Sequence, residues 1–223
     1  MGLLCTLDLP GSLPMAQISP VVFVVDDDIS VREALEALLQ HEGWQTEIFE
    51  SAQHFLARPK PPSPSCLILD VNLPDLNGLD LQQRIRSDRV EMPIIFLTGY
   101  GDVPTSVRAM KAGAAEFLTK PFEDEILLAA VRGAIERSRE ALADEAEKQT
   151  LQERFQSLSG RERDVMTLVV QGLLNKQVGG ELGISEITVK AHRGRAMQKM
   201  RAGSLAELVN ISAYLGHPGR AET

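Results

Sequence analysis

Five short apolar runs, at 21–25, 45–49, 66–69, 94–97 and 115–118, recur along the first half of the chain, and a helical pattern separates each from the next. The helical patterns span 30–41 (Val31, Ala34, Leu35, Leu38, Leu39), 51–57, 78–87 and 103–112. Breaks fall at Gly43, the proline-rich 59–64, Pro74, Gly99 and Gly101, and Gly113. Runs this short suit strands buried on both faces. Their alternation with helices predicts an α/β domain: a parallel five-stranded sheet, helices on both faces, right-handed crossovers.

In such a sheet, ligands bind beyond the carboxyl ends of the strands. The first run, "VVFVV", stops on Asp26, Asp27 and Asp28; the third ends on Asp70, the fourth on Thr98 and the fifth on Lys120. Two carboxylates ~5 Å apart repel by roughly 3 kcal/mol at an effective dielectric of ~20, so solvent or a cation must answer them. Carboxylates of this number suit Mg²⁺ together with phosphate oxygens. One carboxylate is then available as a nucleophile for a phosphoryl group, with lysine and threonine to meet the new charge. Strand side chains alternate faces, so three successive acids do not share one pocket. Asp28 is expected to face water at the start of the next helix, where the dipole favours an anion.

The motifs "VVDDD", "LILDVNLPDLNG", "FLTGYGD" and "EFLTKPF" occur in order and resemble the receiver domain of two-component response regulators. That resemblance implies a flavodoxin-like (βα)5 fold, with Asp70 accepting phosphate from a sensor histidine kinase. It implies Mg²⁺ held by Asp26, Asp27, Asp70 and the backbone carbonyl of Asn72. Thr98 and Lys120 would contact the phosphoryl group, Thr98 and Phe117 would act as switch residues, and the Lys120–Pro121 bond would be cis. A haloacid-dehalogenase-like phosphatase also uses an aspartate after a strand, but needs a second aspartate two residues on. This chain has Asn72 there, and an amide cannot shuttle the proton. The receiver reading makes the protein no enzyme beyond assisting its own phosphotransfer and slow autodephosphorylation.

After Pro121 the character changes. Residues 123–155 hold only Gly133 as a breaker, and Leu128, Val131, Ile135, Ser138, Leu142, Glu145 and Gln149 follow helical spacing. Either a solvated connector helix or a short coiled coil between protomers fits that seam. Further helices are expected at 160–171, 175–182, 186–200 and 204–215, with no strand signal. "NKQVGGELGISEITVKAHRGRAMQKM" reads as helix, turn, helix, with Ser185 as N-cap and Thr188 one position before the capping-box partner site. Lys190, Arg193, Arg195, Lys199 and Arg201 follow with no acid among them.

The stretch "LSGRERDVMTLVVQGLLNKQVGGELGISEITVK" resembles the LuxR-type DNA-binding domain. By that resemblance Lys190 and Ala191 face base edges, and Lys176, Thr188, Arg193 and Lys199 contact phosphates. The helix around Leu205 and Tyr214 would be the dimerisation element. Two departures stand out: Gly179-Gly180 inside a helix where relatives often have alanine, and Gly194 where some carry a DNA-contacting lysine. The whole order resembles the FixJ/NarL class of response regulators. It implies a leader at 1–17, a receiver at 18–123, a helical linker at 124–156 and a four-helix DNA-binding domain at 157–223. It also implies a homodimer when phosphorylated, bound to double-stranded promoter DNA. The alternative is a phosphorylation-independent DNA-binding protein that uses its receiver only to dimerise.

Charge agrees with two partners of opposite kind. The net charge is −8, yet residues 158–223 carry nine Lys/Arg against six Asp/Glu. Two cysteines, Cys5 and Cys66, exclude a disulfide framework and suit a reduced, cytoplasmic protein. No apolar stretch approaches the ~20 residues of a membrane helix. The first 15 residues lack a basic start and contain Pro10, Gly11 and Pro14, so they read as a disordered leader, with Met15 a second candidate start.

Overall fold

A computed structural model describes residues 19–88, 91–99 and 102–216. The expected leader and Cys5 lie outside the described residues. The chain divides into two compact units, with the break between Leu142 and Ala143.

In the first unit, β1 (Val21–Val25), α1 (Ile29–His41), β2 (Gln45–Phe49), α2 (Ala52–Ala57), β3 (Ser65–Leu69), α3 (Gly78–Asp88), β4 (Ile94–Thr98), α4 (Val103–Lys111) and β5 (Glu116–Thr119) alternate as expected. The strands form one parallel sheet in the order β2-β1-β3-β4-β5. A final helix, α5 (Asp124–Gln156), begins in this unit. Three central strands are buried at every residue because each face of the sheet is covered. Val21, Phe23, Val25, Leu67, Leu69 and Phe96 face Phe55 of α2, Leu81 and Ile85 of α3 and Ala109 of α4. Val22, Val24, Cys66, Ile68, Ile95 and Leu97 face Leu35 and Leu39 of α1 and Leu127, Val131 and Ile135 of α5. Burial pushes the Cys66 thiol up to about 12, so it is an inert core group.

The seam along α5 resolves accordingly. Leu128, Val131 and Ile135 belong to this core, and the fully buried Ser138 hydroxyl accepts from the Ser65 amide at 2.9 Å, closing the start of β3. Residues 143–150 are exposed throughout, including Glu145 and Gln149. The seam is therefore consumed by the fold up to Ser138, continues through the half-buried Leu142, and is polar and solvated from Ala143 to Thr150.

The second unit is all-α: the end of α5, then α6 (Gly160–Val170), α7 (Asn175–Leu182), α8 (Glu186–Met200) and α9 (Leu205–Tyr214). Val165, Val169, Val178 and Val189 pin α6, α7 and α8 together, while Met166, Ala196, Met200 and Leu208 join α9. Gly183 ends α7 in the left-handed region (φ 66°), where glycine pays no Cβ penalty. Ser185 then caps α8, accepting from the Thr188 amide at 3.2 Å. Thr188 is thus the third residue of the helix and occupies the capping-box partner site itself, a correction to the expected offset; its hydroxyl lies 2.8 Å from that of Ser185.

The paired glycines of α7 differ in kind. A Cβ at Gly179 would lie 2.8 Å from the Ile184 carbonyl oxygen, whereas one at Gly180 would meet nothing within 4 Å. Gly179 is required by the tight turn between α7 and α8; Gly180 is merely a weak helix former. Gly180→Ala is expected to stabilise the second unit by about 0.5–1 kcal/mol. Gly179→Ala should cost about 1–3 kcal/mol through overpacking. Urea denaturation of the full chain, followed by helical circular dichroism, measures both; shifts of the same sign would refute the distinction.

Candidate functional site

The register of the sheet builds the acidic site. Val25 pairs with both Phe49 and Leu69, so Asp26 and Asp70 emerge side by side where β1 and β3 end. Thr98 pairs with Thr119, and the Lys120 amide donates to the Thr98 carbonyl at 2.8 Å, which brings the fifth strand's lysine to the same edge. Asp26 is buried, Asp27 is exposed, and Asp70 is nearly buried at 9% exposure. One carboxylate oxygen from each of the three lies within 4.8 Å of the others. The Asp26 carboxylate accepts from Lys120 Nζ through Oδ2 at 2.6 Å and from the Asp28 amide through Oδ1 at 3.0 Å. Burial raises the Asp70 carboxyl above the usual carboxylate range, opposed by the Lys120 charge and the Asn72 amide.

Thr98 is fully buried, and its hydroxyl accepts from the Asn72 side-chain amide at 3.5 Å. Phe117 is half-buried, its ring tilted against Phe96 with centroids 6.0 Å apart. Asp28 is separated from the cluster in role: it caps α1, accepting from the Ser30 amide at 2.8 Å and the Ser30 hydroxyl at 2.5 Å. Those bonds hold its carboxyl below the usual range. The Lys120–Pro121 bond is cis.

Two contributors escaped the sequence reading. Arg32 is buried in α1 and donates to the Asp26 backbone carbonyl at 2.6 Å, locking the strand end that carries the acid. Gly78 opens α3 so close to the phosphoacceptor candidate that a Cβ would sit 2.5 Å from the Asp70 carbonyl oxygen. A lone arginine on a helix and a glycine after an asparagine carry no such message in one sequence.

In the second unit, Lys176, Lys190 and Ala191 are exposed. Lys190 pairs with Glu186 one turn back at 3.0 Å, and Arg193 is half-buried, donating to the Asn175 side-chain oxygen at 3.3 Å. Lys199 is spent partly within the unit: its ammonium donates to the Glu162 carboxylate at 2.7 Å and to the Ser157 carbonyl at 3.0 Å. Glu162 is the buried anion that organises this region. It accepts from the Ser159 amide at 2.9 Å in a capping box and faces Arg195 at 3.4 Å as well. The S-x-x-E spacing of Ser159 and Glu162 was visible in the sequence, but its cations, more than thirty residues away, were not.

Comparison with known proteins follows the same division. The model described as response regulator receiver domain matches residues 22–132, and that described as bacterial regulatory proteins, luxR family, matches residues 156–212. The chain is 49% identical over 206 residues to Nodulation protein W of Bradyrhizobium diazoefficiens, covering 92% of this chain and 91% of that protein. It is 41% identical over 195 residues to the transcriptional regulatory protein FixJ of the same organism, covering 87% and 95%. The solved structure of the response regulator StyR superposes with a TM-score of 0.75 at 46% identity, covering 87% and 98%. The fold and site define a two-domain signalling protein. The chain belongs to the FixJ/NarL class of response regulators, a receiver domain followed by a LuxR-type helix-turn-helix domain. Its acidic cluster is a phosphoacceptor site of the receiver kind with the capacity to coordinate a divalent metal, not the centre of an enzyme acting on an outside substrate. Among the described residues, no helix is long and apolar enough to cross a membrane.

Glu162 gives a pH test. Lys199 and the Ser159 amide hold it down to about 2, against 4.5 for a free glutamate. A depressed carboxyl stabilises the fold above its unfolded value and ceases to do so as pH falls through its folded value. Glu162→Gln should therefore cost about 2 kcal/mol at pH 7, as for a buried charge-assisted bond. The gap between wild type and variant should close between pH 4.5 and 2. Urea titrations across that range measure it; a gap independent of pH would show that the charge is not what stabilises.

Proposed function

We propose that the chain is a phosphorylation-dependent transcriptional regulator whose Asp70 accepts a phosphoryl group from a sensor histidine kinase. The observation that carries this is the convergence of Asp26, Asp27, Asp70 and Lys120 at one sheet edge. An Asp70 carboxylate oxygen bonds to phosphorus as the phosphorus–nitrogen bond to the kinase imidazole breaks, leaving its electron pair on the nitrogen. The three carboxylates and the Asn72 backbone carbonyl offer an all-oxygen donor set suited to Mg²⁺, which when bound offsets their repulsion and screens the phosphate donor. Lys120 turns from Asp26 toward the phosphoryl oxygens, and the buried Thr98 hydroxyl follows.

Movement of Thr98 opens space that the half-buried Phe117 enters, and α4 shifts with it. Only Ala109 of α4 is buried, and its carbonyl takes one side-chain bond, from Gln82 at 3.2 Å, so this helix is lightly held. Val103, Val107 and Met110 stand exposed along it, a surface suited to pairing protomers. The resulting homodimer sets two α8 helices about 34 Å apart, one DNA turn. Lys190 and Ala191 face base edges; Lys176, Thr188, Arg193 and the remaining donor of Lys199 contact phosphates.

Acetyl phosphate with Mg²⁺ should label the wild-type chain and leave Asp70→Asn unlabelled, read by intact mass. Asp27→Ala should abolish labelling, whereas Asp28→Ala, which removes only a helix cap, should label normally. Equal loss of labelling from both would overturn the division of the triplet.

Affinity for promoter DNA should rise on phosphorylation; no change would favour the receiver as a constitutive dimerisation module. It should also fall with salt, with a log–log slope of about −5 for a dimer whose three lysine and arginine contacts per protomer each neutralise a phosphate at ~0.9 per contact. Fluorescence anisotropy from 50 to 300 mM salt measures it, and a flat response would remove the phosphate contacts.

A further inference from the structure

The side chain of Ile187 belongs to neither buried cluster of its unit. It is 79% exposed, the most exposed large hydrophobic among the described residues, in the first turn of α8. Its polar neighbours already satisfy one another: Ser185 with Thr188, Glu186 with Lys190. The buried stripe of α8 is Val189, Ala196 and Met200, which leaves Ile187 on the opposite side. Residues three, four and seven positions on share its face, and these are Lys190, Ala191 and Gly194, all exposed. A Cβ at Gly194 would meet nothing within 4 Å, so the surface beside Ile187 is low and open.

The second helix of a helix-turn-helix reads base edges through its N-terminal residues. In the major groove the one apolar feature a base presents is the C5-methyl of thymine. We propose that Ile187 is a specificity-determining residue that packs on a thymine methyl in each half-site, with Ala191 as the adjoining wall and Lys190 as the polar reader. The proposal rests on the DNA-binding reading above and adds a base identity to it. Basic groups along the same helix bring the phosphates close, and the small residues at 191 and 194 let the helix backbone approach the groove floor. An isoleucine exposed to water in the free protein loses that exposure only in the complex.

The test separates the methyl group from everything else. A duplex is first enriched from a random pool by the full, acetyl-phosphate-treated chain. Each thymine of the enriched site is then replaced, one at a time, by deoxyuridine, which keeps the base pair and lacks only the methyl. At one position in each half-site, deoxyuridine should weaken wild-type binding about fourfold, the equivalent of one buried methyl group, and leave Ile187→Ala binding unchanged. Ile187→Ala should keep the wild-type melting temperature and the wild-type affinity for unrelated DNA, since its side chain is largely exposed and belongs to neither buried cluster of its unit. Equal penalties for both proteins at every thymine, or an enriched site without thymine, would overturn the assignment while leaving DNA binding intact. Failure to enrich any duplex would overturn the DNA-binding reading, and the assignment with it.

Discussion

The geometry of the receiver unit depends on one conflict: two parallel strands, in register to their last residues, deliver carboxylates to adjacent positions. Register cannot relax the clash, because a one-residue slip would turn every core side chain of β1 to the wrong face. Val22 and Val24 would exchange places with Phe23 and Val25 between two differently shaped cores. The repulsion must be met locally instead, and Lys120 meets it from the end of β5 with a 2.6 Å bond to Asp26. Arg32 fixes the same strand end through its backbone carbonyl. A cation so placed has two uses. It stabilises the free site, and it stands at the edge of a cluster of the phosphoacceptor kind, ready to meet added negative charge.

The second unit solves a similar problem with the signs exchanged. Its helices are rich in Lys and Arg, and cations crowded on α8 repel one another and weaken the fold. Glu162, buried at the start of α6, gathers Lys199 and Arg195 and caps its own helix. Three roles on one carboxylate make it the point on which this end of the unit depends. Lys199 spends two of its donors on Glu162 and the Ser157 carbonyl.

What the sequence made legible was periodic and local. Strand ends at Asp26, Asp70, Thr98 and Lys120 could be read because apolar runs stop there, and the structure brings these four residues to one edge. The helix-turn-helix was legible from Gly183 and Ser185. Tertiary partners were not: nothing local ties Lys120 to Asp26, Arg32 to the strand before it, or Lys199 to Glu162. The α5 seam stayed open between two readings because heptad-like spacing looks the same whether its partner is another protomer or the chain's own sheet. Gly179 shows the reverse case, since a residue that looks like a defect in a helix is demanded by a carbonyl five positions on.

Exposure carries meaning only when placement explains why burial was forgone. Among the described residues, Val103, Val107 and Met110 stand exposed on a helix that buries Ala109 and accepts a side-chain bond from Gln82, and the Oε1 atom of that Gln82 amide is buried without a partner. An unpaired buried oxygen costs about 1–3 kcal/mol. A helix meant to move on a modest electrostatic signal must not be held by more than that signal can supply. Light fastening leaves α4 less firmly seated than the helices that bury an apolar stripe against the sheet. A fully satisfied, fully apolar interface would hold the same helix more tightly.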